Sequence, residues 1–60
     1  MTVDEYTNTI PVDKCVEITQ NGNIVFKGTI RELQEYFYSL CQCEIIEEPY
    51  ELANRHHIKI

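Results

Sequence analysis

Apolar and polar residues alternate over residues 14–19 (Lys-Cys-Val-Glu-Ile-Thr) and again over residues 23–27 (Asn-Ile-Val-Phe-Lys). This period of two is that of half-buried strands. Gln20-Asn21-Gly22 lies between them and reads as a hairpin turn. Matching the faces selects the loop. A two-residue Asn-Gly loop would pair Ile18 with Val25 and Val16 with Lys27. A three-residue loop, with Gly22 left-handed at a bulge, pairs Ile18 with Ile24 and Val16 with Phe26. The second register puts four apolar residues on one face, so the three-residue loop is expected.

The pattern then changes period. Thr29-Ile30-Arg31-Glu32 matches a capping box. Ile30, Leu33, Phe37 and Leu40 follow at helical spacing, which predicts a helix from about Ile30 to Leu40 or Cys41, flanked by Tyr36. Glu32 and Glu35 have no basic residue four positions on, so capping and burial must hold the helix. Residues 43–48 (Cys-Glu-Ile-Ile-Glu-Glu) predict a third strand, stopped by Pro49. Residues 49–54 suit a single helical turn, with Pro at its start and Asn at its end. Residues 56–60 (His-His-Ile-Lys-Ile) predict a last strand. Residues 1–13 are weakly periodic and read equally as a tail or as an edge strand.

The predicted fold is α+β: a β-β-α-β-β domain over residues 14–60, with one helix on an antiparallel sheet of three to four strands. Its core would hold Val16, Ile18, Ile24, Phe26, Ile30, Leu33, Phe37, Leu40, Ile45, Ile58 and Ile60. The opposite sheet face would show Cys15, Glu17, Thr19, Val25, Glu44, Ile46, His57 and Lys59. Val25 and Ile46 are awkward on a wetted face. Either the N-terminal segment or a second subunit would cover both, and self-association as a homodimer is expected because a small domain gains stability by pairing.

Composition narrows the function. Sixty residues exclude a doubly wound sheet or a barrel and leave little room for a multi-step active site. Five Lys plus Arg against ten Asp plus Glu give a net charge of −5, which argues against a general nucleic-acid grip. No run approaches the roughly 18 apolar residues of a membrane span. No basic-then-apolar leader opens the chain. The odd set Cys15, Cys41 and Cys43 does not fit a closed disulfide framework, so reduced thiols in a cytoplasmic setting are expected.

Four chemistries come into question. A metal-binding regulator would use Cys41, Cys43 and one of His56 and His57, but Cys-x-Cys and adjacent histidines miss zinc spacings. A catalytic Cys–His pair lacks a local signature, and the Glu47-Glu48 pair beside Pro49 reads as a solvated turn; no enzyme and no cofactor are expected. Acidic imitation of nucleic acid is weaker than charge kept for solubility. Glu44, Glu47, Glu48 and Glu51 nevertheless cluster with no basic residue between Arg31 and Arg55, a patch that would steer toward a basic partner surface. Tyr6, Tyr36, Tyr38 and Tyr50 favour a protein-binding face, because tyrosine is common at interface hot spots. Tyr38 and Tyr50 beside the acidic cluster make the predicted partner site.

Residues 18–33, an Asn-Gly hairpin running through Phe-x-Gly-Thr into an amphipathic helix, resemble a pattern of short phage- and prophage-encoded proteins. The resemblance implies an accessory protein that binds and blocks a host protein, antiviral defence enzymes among them, in the host cytoplasm. It carries over no functional residue, because the matching positions are structural. The function expected is a small non-enzymatic binding module; a self-associating assembly protein is the alternative from another class.

Overall fold

The computed structural model describes all residues, 1–60. Its elements run α1 (Val3–Thr7), β1 (Cys15–Gln20), β2 (Asn23–Thr29), α2 (Ile30–Tyr36), α3 (Tyr38–Cys41), β3 (Tyr50–Leu52) and β4 (Arg55–Lys59). The fold is α+β, and the strands form one sheet in the order β2-β1-β4-β3. The β1–β2 pair is antiparallel, as predicted, and so is the β3–β4 pair, whose β3 lies where no strand is predicted. The central β1–β4 pair is parallel, so the sheet is mixed rather than wholly antiparallel. Parallel neighbours need a long connection. Here it carries β2, α2, α3 and β3.

The first hairpin reaches the predicted apolar face by another route. Asn21 and Gly22 both have positive φ, 54° and 80°, as a two-residue type I′ turn requires. Thr19 pairs with Ile24 and Ile18 with Phe26, so Val25 is the extra residue of a bulge. The bulge, not a longer loop, restores register. Ile18 and Phe26 therefore meet on the core face, while Ile24 follows Thr19 outward and is 57% exposed instead of buried.

Residues 1–13 are neither tail nor edge strand. Thr2 and Glu5 form a capping box that opens α1, and Val3 and Thr7 are fully buried. The Thr7 hydroxyl donates to the Val3 carbonyl at 2.8 Å, which satisfies it in the core. Val3 N–H donates to Cys43 O, and Ile45 N–H to Met1 O. Those bonds flank an isolated bridge between Thr2 and Glu44; the predicted 43–48 strand joins no ladder and meets β4 through one bond, from Ile46 N–H to Lys59 O. The third strand lies instead at Tyr50–Leu52, where the sequence predicts a helical turn. It joins β4 through Ala53 and Asn54, both at positive φ, 55° and 61°.

The long helix is broken. Phe37, at φ −132° and ψ 42°, separates α2 from α3. The break falls within three consecutive aromatics, Tyr36-Phe37-Tyr38, which favour helix only weakly. Phe37 is 45% exposed and lies against Phe26, ring centroids 5.1 Å apart, rather than in the core. The start of α2 is well held. Thr29 and Glu32 complete the predicted capping box, and the N–H groups of Ile30 and Arg31 donate to Lys14 O and Val12 O. The core packs Val3, Ile30, Leu33 and Cys41 against Val16, Ile18, Phe26 and Ile58. Leu40, Ile45 and Ile60, predicted as core, are partly buried at its margin.

Candidate functional site

The two faces of the sheet have different chemistry. Register places Tyr50, His57, Glu17 and Lys27 in one row across all strands of the outer face. Tyr50 stacks on His57 at a centroid distance of 4.9 Å. His57 Nδ1 lies 3.4 Å from Glu17, and Arg55 lies 3.7 Å from its other oxygen. Cys15, Glu17, Thr19, His57 and Lys59 occupy this face as predicted. Glu44 and Ile46 do not, because residues 43–48 are outside the sheet.

The inner face carries His56 instead of another apolar residue. His56 is buried to 12% side-chain exposure, and its Nδ1 lies 2.9 Å from the Tyr6 hydroxyl. Its Nε2 lies 3.9 Å from Glu51. Burial, and then the nearby Glu51 charge, push the Tyr6 phenol above its ordinary pKa. The phenol and Nδ1 share one hydrogen bond, whose direction follows the tautomer of the ring. A phenol held in this state ties α1 to the sheet; it is not primed as a base or nucleophile.

Tyr6 also lines the larger of two surface concavities. This groove, of about 380 Å³, is walled by Met1, Tyr6, Ile45, Ile46, Glu47, Glu48 and Pro49. A smaller one of about 250 Å³ lies among Thr19, Asn21, Gly22, Ile46, Glu47, Lys59 and Ile60. Ile46 and Glu47 line both. Ile46 is thus a ridge between them, 67% exposed and pinned by its N–H bond to Lys59 O.

The groove gathers part of the predicted acidic cluster. Glu47 and Glu48 line it. Glu44 sits beside it, paired at 3.0 Å with the Met1 amine. Glu51 reaches it only through His56 and Tyr6. Tyr38 and Tyr50 are exposed but line neither concavity, and nor does Val25. Sequence reasoning missed Met1, Tyr6, Ile45 and Pro49 as groove residues. A signal for Tyr6 was present: Thr2-Val3-Asp4-Glu5 is the same capping pattern as Thr29-Ile30-Arg31-Glu32 and announces a helix that carries it.

The soft metal ligands disperse. Cys41 is fully buried with its thiol 3.9 Å from Leu33 O, and burial, then Asp4, raise its pKa. Cys43 faces Ser39 O at 3.7 Å, and His56 is engaged by Tyr6. No group of three or more His, Cys, Asp or Glu side chains converges as a metal site. No helix is long and apolar enough to cross a membrane. Comparison with protein-family models, with curated proteins and with solved structures returned no match.

Proposed function

We propose that this chain is a non-enzymatic binding module that modulates a larger protein by occupying its surface through the groove beside Ile46. The observation that carries this reading is Ile46 itself. It is a large apolar side chain 67% exposed, held by backbone hydrogen bonding between two concavities and bordered by carboxylates. A fixed apolar ridge with charged margins is the usual anatomy of a small interface. The groove itself agrees: Met1, which helps wall it, is also a large apolar side chain and is 63% exposed. The phage-type reading of residues 18–33 adds that the partner is a host protein. That segment forms the first hairpin and the α2 cap, so partner choice is assigned to the groove.

Affinity capture from cells that express the chain tests the reading. Ile46→Asp and Glu48→Lys should each lose the captured partner. Their unfolding midpoints should stay near that of the original protein, because exposed substitutions usually cost within about 0.5 kcal/mol. A partner retained by both variants would place the interface elsewhere.

A further inference from the structure

We infer that the groove takes a long basic side chain, lysine or arginine, of the partner protein. This deepens the binding reading above and rests on it. The walls supplied by Met1, Ile45, Ile46 and Pro49 are apolar and suit a methylene stem. The rim is acidic, and its carboxylates differ in what they already hold. Glu44 is paired with the Met1 amine and Glu47 with Lys59, both at 3.0 Å. Glu48 lines the groove and makes no ion pair, so it is the free anion of the rim.

The protein already pairs one lysine with a carboxylate beside this ridge. On the other flank of Ile46, Lys59 helps wall the smaller concavity with Ile46 and Ile60, and its ammonium meets Glu47. A partner cation at Glu48 would repeat that arrangement across the ridge. An apolar side chain would fill the same walls but would strip water from Glu48 without pairing it. An acidic one would face both Glu48 and the net charge of −5.

Titrations followed by amide signals of the labelled full chain test this, using three short capped peptides identical except for a central lysine, norleucine or glutamate. The lysine peptide should shift Tyr6, Ile46 and Glu48 and bind about threefold or more tightly than the norleucine peptide, as for an exposed ion pair. Added salt should narrow that preference, and Glu48→Gln should abolish it while apolar contact at Ile46 persists. Equal binding of the lysine and norleucine peptides at Ile46 overturns the basic-side-chain assignment and leaves the binding module standing. Absence of shifts at these residues up to millimolar peptide overturns the assignment too, and partner capture that survives both Ile46→Asp and Glu48→Lys separately overturns the groove as the binding surface. Shifts at Ile46 that grow with protein concentration alone mean that a second copy covers the ridge, which also overturns it.

Discussion

Tyr6 lines the groove and, through its 2.9 Å bond to His56, fastens α1 to the sheet. Tyr6→Phe keeps the ring and removes the hydroxyl, leaving His56 Nδ1 without that partner in a mostly buried setting. The expected cost is about 1 kcal/mol in denaturant unfolding at neutral pH. The phenol also gives that cost a pH dependence. Its folded pKa lies above the ordinary value of 10.0, so the folded state holds the proton more tightly than the unfolded one. Below about pH 10 both states are protonated, and the contribution is fully present. As pH rises through the folded pKa the contribution is lost. The stability gap between the original protein and Tyr6→Phe should therefore shrink in that alkaline range; a gap unchanged with pH would contradict the assignment. None of this was legible in the sequence, because no local pattern relates position 6 to position 56. The adjacency of His56 and His57 did show that they face opposite sides of a strand, and so they do, on Tyr6 and on Glu17.

Local patterns predicted the first hairpin and the start of α2, whereas the single helix expected to reach Leu40 or Cys41 breaks at Phe37. The first hairpin and the α2 cap came from alternation and a capping box, and both stand. The details that slipped depended on which compensation the chain uses. A bulge at Val25 and a longer loop both restore the Ile18 face, and only the positive φ values of Asn21 and Gly22 decide for the bulge. The two turns make opposite predictions. Gly22 has φ +80° with open space where a Cβ would stand, so Gly22→Ala should cost about 1 kcal/mol from backbone strain alone. Ala53 already bears that kind of strain at φ 55°. Ala53→Asn, which tolerates the left-handed region, should stabilise by about 0.5 kcal/mol. Thermal unfolding of both variants checks the pair; a stabilised Gly22→Ala or a destabilised Ala53→Asn would refute this explanation of the turns. The 43–48 segment misled because Ile45 and Ile46 give a strand pattern. One apolar residue instead packs at the core margin and the other stands exposed as the ridge.

Across the whole fold, the α+β class was legible and the topology was not. The parallel β1–β4 pairing joins segments far apart in sequence, and the N-terminal helix closes over residues 43–45 by bonds that no motif announces. The groove exists because of those two long-range arrangements. It sets Met1 and Tyr6 against residues 45–49, while Ile46 is bonded to the last residue of β4. The acidic cluster was visible as a run of residues. Its division into paired Glu44 and Glu47 and unpaired Glu48 needed the fold. The binding reading stands or falls on whether this surface, rather than the outer sheet face, meets a protein partner. Site-specific photocrosslinking in cells decides between the two, with the crosslinking side chain placed at Ile46 or, for the outer face, at Lys27. A discrete covalent adduct with another protein is expected from position 46 and none from position 27. Adducts from position 27 alone, equal adducts from both, or none from position 46 would contradict the proposed interface.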